Sequence, residues 1–202
     1  MSKPIELLTT DEMPEANNAA VRARVPSLTL TEVAGQCVAE AAERILGPRS
    51  GRRVLILCGP GSNGGDGFVA ARIFRQRGYR VAVLLLVDLS CFNDDANVTV
   101  ERWNSGLNSV CAQTFADSDL IIASLFGAGL SRALTGETTE LVELANVASA
   151  PVLEVDVPSG LDATTGLTTG PAISASHTMI FSAKNLPSIV SRPGVVRPYR
   201  SC

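Results

Sequence analysis

The chain has 202 residues, 17 Lys and Arg against 20 Asp and Glu for a net charge of −3, and 46% hydrophobic residues. That length and apolar content suit one domain with a sizeable core and exclude a disordered chain. The acidic balance gives no footprint for nucleic acid or an anionic membrane, and the longest apolar stretch, Val81 to Val87, is far short of the ~20 residues that a bilayer span needs.

The N-terminal run MSKPIELLTTDEM lacks the continuous apolar segment of a secretion signal. Five cysteines (Cys37, Cys58, Cys91, Cys111 and Cys202) stand far apart without CxxC spacing. Free thiols in a reducing, cytoplasmic setting are therefore expected.

In chain order, the first ~50 residues read as helical. Thr29 and Glu32 fit a capping box, and Val38, Ala41, Ala42 and Ile45 form an apolar stripe that Gly47-Pro48 ends. Arg53 to Cys58 reads as a strand buried on both faces. A glycine-rich turn over 59–67 leads into a helix with Val69, Ile73 and Phe74 at helical spacing, and Arg80 to Val87 is the next buried strand. Residues 94–105 read as a helix, Leu120 to Phe126 as a strand, 138–147 as a helix, Pro151 to Asp156 as a strand and His177 to Ser182 as a weaker one. Repeated βα units predict a doubly wound α/β sandwich with a mostly parallel sheet, one domain over 1–202. The stretch 187–202 has no periodicity and is expected to be irregular.

Three loops follow three of these strands. The first, Gly59-Pro-Gly-Ser-Asn-Gly-Gly-Asp-Gly67, matches the GxGxxG fingerprint through Gly59, Gly61 and Gly64. Small residues let backbone approach a phosphate, and the helix that follows offers unpaired N–H groups. Asp88 stands near the place of a ribose-binding carboxylate. A P-loop is excluded, because no Lys-Ser or Lys-Thr pair follows the glycines. Asn63 and Asp66 are not explained by a plain dinucleotide turn, since a carboxylate there would repel phosphate. The second loop, Phe126 to Arg132, adds flexible backbone and one guanidinium. The third follows Asp156 with Val-Pro-Ser-Gly-Leu-Asp162, which points a carboxylate into the crevice at the strand ends, beside Ser159.

GPGSNGGDGFVAAR, LFGAGLSRALTG and VDVPSGLDATTG, in this order and spacing, resemble the NAD(P)H-hydrate epimerase family, the YjeF N-terminal domain related to apolipoprotein A-I-binding protein. The resemblance runs from about Leu7 to about Lys184. It implies a Rossmann-like three-layer α/β/α sandwich, usually a homodimer, that interconverts the R and S forms of hydrated NADH and NADPH for a partner dehydratase. By motif, Ser62, Asn63, Gly64, Gly65 and Asp66, together with Gly127, Ala128, Gly129, Leu130, Ser131, Arg132 and Ala133, would hold the substrate. Asp156 would contact the hydrated nicotinamide and act as the catalytic acid–base. Asn63 and Ser159 would help bind a potassium ion.

The chain departs from the family pattern at Ser62, where an asparagine is usual, at Val33, which replaces an amide, and at Ala123, which stands where the family carries a potassium-binding aspartate. It also ends in VVRPYRSC, where the family adds a strand. A binding protein with weak or no catalysis, and less so a Rossmann NAD-dependent oxidoreductase, are the alternative readings. His177, the lone histidine, is expected to be structural, Trp103 to pack, and Lys184 to lie near substrate.

Overall fold

The computed structural model describes residues 24–47, 51–86, 94–130, 132–163, 165–168 and 170–180, the backbone of 188–190 and 196–198, and the isolated residues 15, 18 and 22. The elements are α1 (Ser27–Leu46), β1 (Arg53–Cys58), α2 (Gly61–Gln76), β2 (Arg80–Leu85), α3 (Asp94–Trp103), α4 (Ala112–Ala116), β3 (Leu120–Ser124), α5 (Glu137–Val147), β4 (Val152–Val155), β5 (His177–Ile180), β6 (Ser188–Val190) and β7 (Val196–Pro198). The strands form one sheet in the order β2-β1-β3-β4-β5-β6-β7. Pairs from β2 through β5 are parallel, and β6 and β7 join the β5 edge antiparallel.

Strand residues alternate between two cores. Val54, Ile56, Cys58, Leu120, Ile122, Leu153 and Val155 face α1, α2 and α3, whose Val38, Phe68, Phe74 and Trp103 fill that side. Leu55, Leu57, Ile121, Ala123 and Val152 face Phe115 of α4 and Leu141, Val142 and Ala145 of α5. Both faces being covered explains why the strands read as near-continuous apolar runs. The result is the expected Rossmann-like α/β sandwich. Trp103 packs as expected, 5% exposed. Cys37, Cys58 and Cys111 are free thiols. Among the described residues no helix is long and apolar enough to cross a membrane.

Four local expectations need correction. No capping box forms at Thr29, because α1 begins at Ser27 with Pro26 at its N-cap. Proline presets the backbone φ, here −58°, and needs no partner for a missing N–H. The Thr29 N–H then donates to the Pro26 carbonyl at 2.9 Å, and Glu32 pairs with Arg72 and Arg102. The glycine-rich stretch is not a turn before a helix, since α2 already starts at Gly61. Glycines in a helix cost roughly 1 kcal/mol each against alanine, but a Cβ on Gly64 would lie 1.9 Å from the Gly59 carbonyl oxygen. Close packing outweighs propensity there. Strands β3 and β4 end one or two residues earlier than read, because their heads turn directly into the site loops. Within 187–202, expected to be irregular, two short strands extend the sheet.

Phe74 is fully buried and meets the Tyr79 ring edge-on at 4.9 Å. Replacing it with Ala is expected to cost about 3–5 kcal/mol in urea denaturation; a loss below about 1 kcal/mol would contradict its place in this core.

Candidate active site

The order β2-β1-β3-β4-β5 reverses direction at β1, which opens a crevice above the carboxyl ends of β1 and β3. All three loops singled out in the sequence emerge there. Helix α2 points its N-terminus into the crevice with Pro60 as N-cap and no side-chain cap. Its first backbone N–H groups and positive dipole end suit an anion. Ser62 is exposed and Asn63 partly so, whereas Gly64, Gly65 and Asp66 are buried. Gly65 packs against Thr31 of α1 and Thr99 of α3.

Asn63 ties the first loop to the sheet. Its Nδ2 donates to the Val155 carbonyl at 3.3 Å, and its own carbonyl accepts from the Ser124 hydroxyl. Ser124 therefore points toward α2 and Ala123 to the opposite face, as strand alternation requires. The Oδ1 of Asn63 is buried with no partner.

Asp156 sits where β4 turns into its loop, with φ at +74°. Left-handed backbone is uncommon outside glycine, although Asp tolerates it better than most residues, and it concentrates at functional sites. The Asp156 N–H donates to the Met179 carbonyl at 2.7 Å, and its Oδ2 accepts the Ala128 N–H at 2.8 Å. A Cβ on Gly127 would stand 2.5 Å from that same oxygen, so glycine there is a condition of the contact. In the second loop Gly129, Arg132 and Ala133 are exposed and Leu130 donates its N–H to Gly127. Ser131, Asp88 and Lys184 lie outside the described residues.

Ser159 is 1% exposed and faces inward. Its Oγ donates to Glu154 Oε1 at 2.7 Å, accepts the Phe126 N–H at 3.1 Å and lies 3.2 Å from the Phe126 carbonyl oxygen. Glu154 is the residue that sequence reasoning missed. The signal was present, since one acid interrupts the buried run Val152–Val155, and a carboxylate inside a doubly covered strand is rarely tolerated without a purpose.

Asp66 and Glu154 each lie within electrostatic reach of Asp156. Burial pushes Asp66 well above its ordinary value, with the Asp156 charge adding to the effect. Burial also raises Glu154, against the hydrogen bonds from Ser159 and with a further push from Asp156. Asp156 itself is raised by burial and partly held down by the Ala128 N–H. Among the described residues no ion pair joins any of the three to a basic side chain. Burial leads in all three cases, and Asp156 is raised less far than Asp66 and Glu154. His177 is not part of the site: it pairs in register with Leu153, below the strand head, and burial lowers its pKa.

Residues 27–186 match the family model described as YjeF-related protein N-terminus. The chain is 40% identical over 168 residues to the NAD(P)H-hydrate epimerase of Rhodobacter capsulatus, covering 78% of each. It is 35% identical over 201 residues to the bifunctional NAD(P)H-hydrate repair enzyme Nnr of Moorella thermoacetica, covering 93% of this chain and 38% of that one. The crystal structure of yeast ynu0 superposes with a TM-score of 0.77 at 23% identity over 86% of this chain and 79% of that one, which supports the fold.

A carboxyl raised in the fold keeps a proton that the unfolded chain releases, so its contribution to stability is complete below the ordinary carboxylate range and is lost as pH rises through the raised value. In choline chloride, the Asp66→Asn variant is expected to lose less urea-unfolding free energy than the native chain between about pH 5 and about pH 8. Asp119, lowered chiefly by the Arg53 N–H, acts with the opposite sign but is common to both proteins and cancels. Equal slopes would mean that Asp66 titrates as an exposed carboxyl.

Proposed function

This chain belongs to the YjeF-related N-terminal family, and on that premise we propose that its acidic crevice interconverts the R and S forms of hydrated NADH and NADPH. It is an NAD(P)H-hydrate epimerase, an isomerase of nicotinamide nucleotide repair. The observation that carries the chemistry is Asp156, a carboxyl held at a strand head in left-handed backbone, with one oxygen fixed by the Ala128 N–H and its pKa raised by burial.

The reacting carbon bears a hydroxyl and is bonded to a ring nitrogen. Protonated Asp156 gives its proton to that hydroxyl, which leaves as water, and the nitrogen lone pair stabilises the resulting cation. A water adds to the other face, and the Asp156 carboxylate takes the proton back. The net change is inversion at one carbon. Acid–base assistance of this kind is worth about 10²–10⁴ in rate, and a raised pKa keeps protonated Asp156 available closer to neutral pH.

The N-terminus of α2 at Ser62 and Asn63, with Gly64, Gly65 and Asp66 behind it, and the loop from Gly127 to Ala133 would hold the phosphates and sugars. The unpaired N–H groups of an uncapped helix support that assignment. Asn63 and Ser159 fit a potassium ion, since the Asn63 Oδ1 is buried without a donor and Ser159 lies among oxygens. When bound, such an ion supplies a fixed positive charge that orders the three loops. The same reading makes an NAD(P)H-hydrate dehydratase the functional partner, supported by the bifunctional repair enzyme that the chain partly spans. It gives the protein, by the resemblance, a homodimeric assembly and a cytoplasmic setting.

Purified (R)-NADHX should be converted to the S form, resolved on a chiral column. Asp156→Asn, which also tolerates left-handed backbone, is expected to slow conversion by about 10²–10⁴-fold while calorimetric binding is kept. Unchanged turnover would remove Asp156 from the chemistry. No conversion by the native chain, with nucleotide still bound, would leave a binding protein on this fold.

A further inference from the structure

Glu154 is fully buried on β4, and its Oε2 has no partner. An unmet carboxyl oxygen in a dry interior is costly, and the fold retains it at a place where an apolar residue would serve packing better. Glu154 pairs in register with Ala123 on β3, so the two side chains stand next to each other on the α5 face of the sheet. One is an acid and the other a methyl group.

The second orphan is close by. Asn63 donates its Nδ2 to the carbonyl of Val155, the residue after Glu154, and its Oδ1 is likewise buried and unpartnered. Between the strand heads lie the Ser159 hydroxyl and the Phe126 carbonyl, 3.2 Å apart. Both unmet atoms are oxygens, and one cation between the strand heads would meet both at once. Among the described residues no three His, Cys, Asp or Glu side chains group around one point, which argues against a transition metal. One carboxylate with neutral oxygens balances a single charge on a hard cation.

We propose that Glu154 is the anionic ligand of a monovalent cation held at the heads of β3 and β4, with Ser159, the Phe126 carbonyl and the Asn63 Oδ1 completing the oxygen set. The carboxylate then reaches the ion from β4, one strand away from Ala123, where related chains carry an aspartate. This rests on the potassium reading above and adds to it a ligand that the motifs of the resemblance do not name.

Thermal unfolding in potassium chloride against choline chloride at matched ionic strength tests it without reference to turnover. Potassium is expected to raise the melting temperature by about 3–5 °C at a concentration ten times its Kd. Glu154→Gln should abolish most of that shift, and moving the acid across the register in the Ala123→Asp, Glu154→Ala double variant should recover at least half of it. No potassium shift in the native chain, or a full shift in Glu154→Gln, overturns the proposal; a swap without recovery overturns the placement beside Ala123. Should Glu154→Gln fail to fold, crystals of the native chain soaked in thallium(I) decide by anomalous scattering. A peak touching Glu154 Oε2 supports the site, and its absence overturns it. Epimerisation assayed in the same two salts separates the readings: conversion in choline with no potassium shift removes the cation and leaves the epimerase, and a potassium shift without conversion does the reverse.

Discussion

The approach of three loops to one another at backbone contact distance sets the character of this site. A Cβ on Gly59 would lie 1.8 Å from the Leu125 carbonyl oxygen, and one on Gly127 would strike the Asp156 carboxyl. The loops at the heads of β1, β3 and β4 therefore meet at points where only glycine fits. Asp156 is in left-handed backbone because its N–H must reach the Met179 carbonyl while its Oδ2 meets the Ala128 N–H. Strain of this kind costs about 1–3 kcal/mol and survives only where surrounding contacts over-determine it. The same closeness dries the region, and drying is the leading cause of the raised pKa of Asp66, Glu154 and Asp156.

That desolvation resolves an apparent conflict in the sequence. A carboxylate within a phosphate-binding motif should repel its ligand. In the fold Asp66 is not exposed at the crevice mouth. It is buried on the first turns of α2, where its backbone carbonyl lies against Gly35 of α1, and burial together with the Asp156 charge makes it hold a proton more tightly than an exposed carboxyl. A neutral carboxyl can donate a hydrogen bond and does not oppose the uncapped helix N-terminus in front of it. Proton affinity thus divides the acids between two roles. Asp66 holds its proton more tightly and supports the loop, and Asp156, raised less far, exchanges its proton more readily.

The sheet was legible because buried parallel strands write themselves as apolar runs, and the helices because their stripes recur at helical spacing. The site loops were legible because each follows a strand directly. What escaped was decided by contacts between distant residues. Thr29 and Glu32 have the right spacing for a capping box, yet Pro26 starts the helix upstream and Arg72, 40 residues further on, claims the carboxylate. The glycines of the first loop read as a turn by propensity, but they are helical because Gly59, Cys58 and Ser124 press against α2 where side chains would otherwise stand. The short strands at Ser188–Val190 and Val196–Pro198 have too few residues for any alternation to show; β6 pairs with the β5 edge and β7 with β6.

Glu154 escaped for a different reason. A linear motif assigns ligands by position in the chain, and at Ala123 that rule registers the loss of an acid. A parallel sheet places residues by register instead, so Ala123 of β3 and the acid at the paired position of β4 occupy neighbouring points on one face. The two side chains differ in length as well as in origin. Glutamate carries one more methylene than aspartate, and Glu154 spans the extra distance to meet Ser159 at 2.7 Å. What the proposed cation site requires is one carboxylate within reach of Ser159, and the register of β3 against β4 puts position 123 and position 154 side by side for that task.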